Sequence, residues 1–334
     1  MPEVHAFKTD DGIELRLTRF NGGKKGPIIC APGFSNSTLV FTFDGLDPTF
    51  AEFFAAHGYD TWLFDYRASP ALPACLTQFT LDDIAKRDWP AAVNVVRQVT
   101  GAADVQIVGH CVGSLSTYMA LLSGLTGVRQ FVSSQLTPHI VAETMDKLKA
   151  GIHLIETLKA VGMKGVTTAD ANNWMLADID RLLALYPMPD DWRALGGVSR
   201  RIFAIYGHVF KPSNLSPATV GALGEMFGYG NLTAFSQITE LLRKGHLVDS
   251  AGQDTYLPQV ARLKLPIAII HGADNVFFYP RGSEMTYEWL RQNNGPDLYT
   301  RHVIPNYAHL DCFIGRDAAE GVLPVVLAEL EKGN

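Results

Sequence analysis

Three side chains of the sequence are spaced along the chain in a way that suits nucleophilic catalysis. Cys111 is the central residue of the run G-H-C-V-G at residues 109–113, which follows the apolar run 105–108 and precedes a helix-like stretch. A strand, such a glycine pattern and a helix form a nucleophile elbow, in which a sharp turn exposes the central side chain. The two glycines fit because the turn is crowded and its backbone strained. Cys111 is therefore the candidate nucleophile.

A thiol nucleophile needs a base and a third group that holds the base. His309 follows the strand-like run Tyr299–Ile304 through a short loop, which is the position expected for the base. Asp274 comes directly after the strand-like run Ile267–Ile270, the position expected for an orienting acid. No acidic residue follows the preceding strand, whose exit reads S-S-Q-L at 133–136. The sequence therefore predicts a triad of Cys111, His309 and Asp274.

Backbone N–H groups near Cys111 could stabilise negative charge on a substrate oxygen. Val112 follows the nucleophile, and Phe34 lies in the loop A-P-G-F-S-N that follows an early strand. Their N–H groups are the candidate oxyanion hole, and each such donor is worth about 3–4 kcal/mol in other enzymes. The helix that begins behind Cys111 is also expected to favour the thiolate. His110, Asp311 and Cys312 are interpreted as structural.

The elements that must position these residues alternate between strands and helices, which predicts an α/β fold with a mostly parallel central sheet flanked by helices. A capping box at Thr80–Asp83 predicts a helix start, and Pro90 predicts a kink or early break in that helix. Strands are expected at Val4–Lys8, Ile13–Arg19, Pro27–Cys30, Thr61–Phe64, Val105–Val108, Val128–Val132, Ile267–Ile270 and Tyr299–Ile304, and helices at Phe50–Ala56 and Gly282–Asn293.

The alternation stops between residues 137 and 265, where apolar residues follow a helical period. We expect 137–265 to form a largely helical cap or lid, and 1–136 with 266–334 to form the core domain. Six large apolar residues of this insertion could line a pocket, although most are expected in its own core: Trp174, Met175, Phe210, Met226, Phe227 and Phe235.

Composition excludes several function classes. The chain has 334 residues and a formal net charge of −6, with no basic block that would suit nucleic acid or an anionic membrane surface. It shows neither a signal-peptide pattern nor an apolar run long enough to span a bilayer, so a cytoplasmic location is expected. The four cysteines lack metal-binding spacing, and no G-x-G-x-x-G follows the first strand. No cofactor or metal is expected.

Several segments resemble known hydrolases. The run from Tyr307 to Asp311, followed by F-I-G at 313–315, resembles the histidine segment of acid (gastric-type) lipases, as does the run 58–63 with Arg67. The segments 65–69, 110–114 and 304–315 resemble the α/β-hydrolase domain that accompanies cholesterol-oxidase-like flavoproteins. The resemblance implies an α/β-hydrolase fold, a triad at Cys111, Asp274 and His309, and carboxylic ester or lipid-like substrates. Cysteine in place of the lipases' serine also resembles dienelactone hydrolases and polyhydroxyalkanoate synthases.

Three functions remain open on the sequence. The first is a cofactor-independent acyl hydrolase that acts on a small apolar ester or lactone through a thioester acyl-enzyme. The second is an acyltransferase or polymerase with the same intermediate, because water and an alcohol compete for one acyl-enzyme. The third is a catalytically silent module that partners an oxidoreductase. No nucleic-acid partner and no integral membrane association are expected, and the oligomeric state, a homo-oligomer included, stays open.

Overall fold

The computed structural model describes residues 2–142, 159–160, 162–168 and 188–333. Ten strands occur in these ranges, eight of them in one central sheet and two in a small separate sheet. The strands are β1 (Glu3–Lys8), β2 (Glu14–Asn21), β3 (Pro27–Ala31), β4 (Asp60–Asp65), β5 (Val105–His110), β6 (Val128–Ser134), β7 (Gly165–Thr167), β8 (Tyr229–Asn231), β9 (Ile267–Gly272) and β10 (Tyr299–Ile304).

The central sheet has the strand order β1-β2-β4-β3-β5-β6-β9-β10. The pairs β1–β2 and β2–β4 are antiparallel, and every later neighbouring pair is parallel. The predicted mostly parallel α/β sheet is confirmed. Because parallel strands end at the same edge, the loops after β3, β5, β6, β9 and β10 all meet there.

Helices cover both faces of this sheet, as the fully buried strands β3, β4, β5 and β9 require. One apolar core on one face includes Leu15, Trp62, Trp89, Leu115 and Phe131. The other face packs around a second core. The helices are α1 (Phe50–Ala56), α2 (Leu81–Asp83), α3 (Trp89–Thr100), α4 (Val112–Leu122), α5 (Asp190–Arg193), α6 (Gly197–Tyr206), α7 (Pro217–Met226), α8 (Leu232–Lys244), α9 (Pro280–Asn294), α10 (Asp311–Ile314), α11 (Ala318–Gly321) and α12 (Leu323–Glu331).

The region around Pro90 differs in detail from its prediction. The capping box at Thr80 is confirmed, since Thr80 Oγ1 accepts from Asp83 N and the Asp83 carboxylate accepts from Thr80 N. Instead of a break at Pro90, residues 84–88 form a π-helical turn that joins α2 to α3. Pro90 then lies in the first turn of α3, directly after the π-helical turn.

Between residues 137 and 265 the described part is mainly helical, with the two-stranded antiparallel pair β7–β8. Trp174 and Met175 lie outside the described residues. Phe210 and Met226 are buried. Within the ranges that the structure describes, no helix is both long and apolar enough to cross a membrane.

Candidate active site

Cys111 lies in a strained turn between β5 and α4. Its φ of 52° and ψ of −120° are unusual for a residue with a side chain, and its N–H donates to Ser134 O at 2.9 Å. A Cβ on Gly109 would lie 2.7 Å from Ser114 Cα, and one on Gly113 would lie 2.5 Å from two carbonyl oxygens. Both glycines are therefore required by close packing, as the sequence predicts for a nucleophile elbow.

Cys111 is half-buried, unlike the other three cysteines, which are buried. Burial raises the pKa of Cys111 to about 12, against the opposing effect of the backbone N–H groups of Val112 and Phe34. The helix start acts in the expected direction, because the Val112 N–H group lowers the pKa of Cys111, but desolvation of the charged sulfur is the larger effect. The same two N–H groups are the predicted oxyanion-hole donors, and both lie near the sulfur.

The Tyr66 hydroxyl hydrogen-bonds to the backbone of the loop that carries Phe34. The Tyr66 hydroxyl donates to Pro32 O at 3.0 Å and to Gly33 O at 2.9 Å. The next residue, Ser35, has a φ of 58°, so the loop turns sharply directly after Phe34. Tyr66 thus fixes the position of the Phe34 N–H relative to Cys111.

His309 is buried beside the elbow, with 2 % of its surface exposed. Its ring centroid lies 4.8 Å from that of His110, and Phe277 and Phe278 pack against it at 5.2 and 5.5 Å. Burial, together with the neighbouring His110 and His271, lowers the pKa of His309 well below its usual value. Among the described residues, no hydrogen bond joins His309 to Cys111.

The side chain that hydrogen-bonds to His309 is that of Asn275 and not that of Asp274. Asn275 Nδ2 lies 3.1 Å from His309 Nδ1, and both residues are buried. The carboxylate of Asp274 instead accepts from Lys211 Nζ at 2.6 Å, and 43 % of its side chain is exposed. The structure therefore places His309 against His110, the residue before Cys111, and places Asn275 instead of Asp274 at His309 Nδ1.

The loops after β9 and β10 are joined by their backbones. Asp274 N donates to Tyr307 O and Ala273 N to Ile304 O, both at 2.8 Å. The Asp311 carboxylate accepts from Ala308 N at 3.0 Å, so this aspartate has the structural role that the sequence predicts. These bonds hold Asn275 and His309 at a fixed separation.

Gln135 is a site residue that the sequence reasoning missed. It follows β6 with a φ of 73°, and its Oε1 accepts from Asn275 Nδ2 at 2.9 Å and from Gly272 N at 3.1 Å. Its Nε2 lies 2.9 Å from Cys312 Sγ, in line with the structural role predicted for Cys312. The available signal was its position, because a polar residue at the end of a parallel strand next to the nucleophile strand faces the site.

Comparisons with known proteins agree with this architecture. No protein-family model matches the chain. A lipase in its open form aligns with 100 % of this chain and 99 % of its own, with a TM-score of 0.63 and 13 % identity. The chain has the α/β-hydrolase fold. A monoacylglycerol lipase from Paleococcus ferrophilus has the same fold, with a TM-score of 0.61 and 11 % identity over 96 % of this chain and 99 % of its own.

A curated relative aligns with nearly the whole length of this chain. Human lipase member K is 21 % identical over 99 % of this chain and 88 % of its own length. A yeast (Saccharomyces cerevisiae) sterol esterase, sterol esterase 2, is 28 % identical over 36 % of this chain and 26 % of its own.

Aromatic side chains also pack around Phe34, whose N–H group is a candidate oxyanion donor. Phe34 packs edge-on against Phe235 at 5.5 Å, and Tyr206 stacks on Phe235 at 5.6 Å. The Tyr206 hydroxyl and the Ser35 hydroxyl are buried and have no hydrogen-bond partner among the described residues. A Cβ on Gly230 would lie 3.0 Å from each of these two oxygens. A polar pair thus lies beside Phe34 in mainly apolar surroundings.

Proposed function

We propose that the protein is a cofactor-independent acyl hydrolase that uses Cys111 as its nucleophile on an apolar carboxylic ester or lactone. The observation that carries the proposal is the strained elbow at Cys111 with the N–H groups of Val112 and Phe34 beside its sulfur. An oxyanion formed when the sulfur attacks a carbonyl carbon needs donors at this place.

The reaction runs through a thioester. Cys111 Sγ forms a bond to the acyl carbon, the ester C–O bond breaks with its electrons going to the departing oxygen, and the thiol proton is lost to solvent. Water then attacks the thioester, the acid leaves, and the thiol is restored. We propose that His309 is the imidazole of this site, with Asn275 in place of the predicted Asp274 as the residue that orients it.

The substrate class follows from the surroundings of the site and from the relatives. Phe277 and Phe278 flank His309, and Phe34 with Phe235 lies on the other side of the elbow. Such walls favour an apolar acyl group. Lipase member K and sterol esterase 2 are named for activity on lipid esters, which supports ester hydrolysis by this chain.

We also propose that residues 137–265 form a cap over this site. Ser37 N donates to Met226 O at 3.0 Å, and Asn36 pairs with Phe227 through an antiparallel bridge. Tyr206 and Phe235 reach Phe34 from the same part of the chain. These contacts between the described residues of the insertion and the loop with the candidate oxyanion donor support the proposed cap.

A second candidate function is an ester-binding module without turnover. The observation that favours it is the amide of Asn275, which stands where a carboxylate would stabilise an imidazolium. The predicted acid, Asp274, pairs with Lys211 instead of His309.

Mass spectrometry separates the two functions. Wild-type protein is mixed briefly with p-nitrophenyl butanoate, quenched in acid and weighed intact, with peptide mapping of any adduct. If the protein is a hydrolase, a butanoyl adduct forms on Cys111 and then decays with release of butanoate. The adduct is absent in Cys111→Ala and forms as in the wild type in the control Cys75→Ala. Absence of adduct and product, with stoichiometric binding of the ester to the native protein in calorimetry, would identify the module instead.

A further inference from the structure

The orientation of the Asn275 amide is fixed by two backbone donors. Asn275 Oδ1 accepts from Phe277 N at 3.0 Å and from Phe278 N at 2.9 Å. An N–H group can donate only to the oxygen of a side-chain amide, because the amide nitrogen has no acceptor site. The oxygen therefore faces the turn, and Nδ2 faces His309.

Gln135 fixes the same orientation from the other side. Its Oε1 accepts from Gly272 N, which assigns the oxygen of this second amide as well. The atom of Asn275 at 2.9 Å from that oxygen must then be a donor, namely Nδ2. Two independent sets of backbone donors thus give one result for Asn275.

The orientation of Asn275 decides where His309 carries its proton. Nδ2 is a donor, so His309 Nδ1, 3.1 Å away, must be an acceptor and hold no hydrogen. A neutral imidazole then carries its proton on Nε2. We propose that His309 rests as the Nε2–H tautomer, so that this site accepts acyl groups with leaving groups that depart without a proton: thioesters and aryl or enol esters. This substrate class rests on the proposed function, whereas the tautomer does not.

The tautomer limits the base function of His309. To take the Cys111 proton on Nε2, the ring must first carry its own proton on Nδ1. That N–H group would then point at the N–H group of Asn275, so that two donors face each other. Turning the amide to receive it would leave Phe277 N and Phe278 N without their acceptor. In a serine protease, an asparagine in place of the triad aspartate gives this wrong tautomer and lowers kcat by about 10⁴-fold.

The charges near His309 do not remove the limitation. The pKa of His309 is lowered by burial and by His110 and His271, neither of which can offset an imidazolium charge. The Asp274 carboxylate is bound to Lys211 at the rim, and the Asp311 carboxylate accepts from Ala308 N and from the Asn214 amide. An imidazolium at His309 therefore has an amide, not a carboxylate, at its Nδ1.

Acylation of Cys111 without a general base requires a leaving group that departs without a proton. Cys111 Sγ bonds to the acyl carbon as the thiolate or aryloxide leaves with the bonding electrons, and the thiol proton goes to solvent. An Nε2–H group can donate to the oxyanion during this step. A simple alkoxide leaves poorly without a proton, so alkyl esters are expected to react far more slowly.

Nitrogen NMR measures the tautomer without reference to activity. Protein labelled with ¹⁵N-histidine is observed at pH 7.5, and the His309 signals are assigned by their loss in His309→Gln. We expect a protonated Nε2 and a bare Nδ1 in the wild type and in Asp274→Asn, and a protonated Nδ1 in Asn275→Asp. A protonated Nδ1 in the wild type would overturn the tautomer, and this measurement needs no folded variant at position 275.

Kinetics test the substrate class. We compare p-nitrophenyl butanoate with ethyl butanoate for the wild type, Asn275→Asp and Asp274→Asn. The wild type is expected to cleave only the aryl ester, and Asn275→Asp to gain at least ~10²-fold on the ethyl ester. Equal rates on both esters in the wild type would overturn the class. A large loss in Asp274→Asn would return the orienting role to that residue.

Failure of the proposed function gives a different pattern. If Cys111 is not acylated by either ester in any variant while the wild-type NMR shows Nε2–H, the tautomer stands and the hydrolase and its substrate class both fall.

Discussion

Gln135 Oε1 accepts a hydrogen bond from Asn275 Nδ2 at 2.9 Å, so two buried amides join the ends of the neighbouring strands β6 and β9. Through Asn275 this contact reaches His309 Nδ1. The position of the imidazole therefore depends on a residue of the loop after β6, whereas Asn275 and His309 lie in the loops after β9 and β10.

Removal of the Gln135 amide should destabilise the fold and disturb His309. In Gln135→Met, Gly272 N loses its acceptor and Asn275 Nδ2 loses one of two, which costs about 1–3 kcal/mol of unfolding free energy. Urea unfolding at pH 7.5 measures this change. The exposed Gln253 provides the matched control, and Gln253→Met should change the unfolding free energy by no more than about 0.5 kcal/mol. Equal effects of the two substitutions would contradict the role of Gln135.

Tyr66 should matter for acylation because it supports the Phe34 loop. In Tyr66→Phe the carbonyls of Pro32 and Gly33 lose their donor, and we expect a loss of about 1–2 kcal/mol in stability with a slower p-nitrophenolate burst. Tyr118 is the matched control, because its buried hydroxyl has no hydrogen-bond partner among the described residues. Tyr118→Phe should leave the burst unchanged and stability equal or higher. A normal burst in Tyr66→Phe would refute this support.

The strands and the elbow could be predicted from sequence because each is a local pattern. Apolar runs predict β5 and β10, and two glycines around Cys111 predict the turn. The third side chain of the site could not be predicted in this way. Asp274 and Asn275 are adjacent, and which of them faces His309 depends on a turn closed by Phe277 N and Phe278 N. Residue type favoured the acid, whereas backbone geometry selects the amide.

The size of the desolvation effect on Cys111 could not be predicted for a related reason. A helix start is visible in the sequence, but the desolvation of a single sulfur depends on how the folded chain packs around it. The pKa of Cys111, raised to about 12, is the result of that packing.

Tyr206 should affect catalysis without affecting stability. Its hydroxyl is buried beside Phe34 and has no hydrogen-bond partner among the described residues, so Tyr206→Phe should change the unfolding free energy by no more than about 0.5 kcal/mol. If a substrate oxygen accepts from this hydroxyl, kcat/KM for butanoate esters should fall by about 3- to 10-fold. Steady-state kinetics with thermal unfolding measure both quantities. A stability loss with unchanged kcat/KM would instead show that the hydroxyl supports the fold.

Three buried histidines should make the protein sensitive to acid. Burial lowers the pKa of His110 to about 3 and that of His271 to about 4, and it lowers the pKa of His309 as well. In the unfolded chain these groups take up protons near pH 6.5, whereas in the folded chain they stay neutral. The unfolded state therefore binds more protons below pH 6.5, and the unfolding free energy falls as the pH is lowered.

The slope of that loss can be assigned to individual groups. Each histidine contributes about 1.4 kcal/mol per pH unit once the pH is well below 6.5 and still above its folded pKa. Asp88 opposes the trend, because burial raises its pKa to about 6 and its protonation stabilises the folded state below that pH. Urea unfolding between pH 7.5 and 5.0 should show a net loss, and His110→Gln should reduce the slope by about one proton. A free energy independent of pH would mean that these imidazoles are not buried as neutral groups.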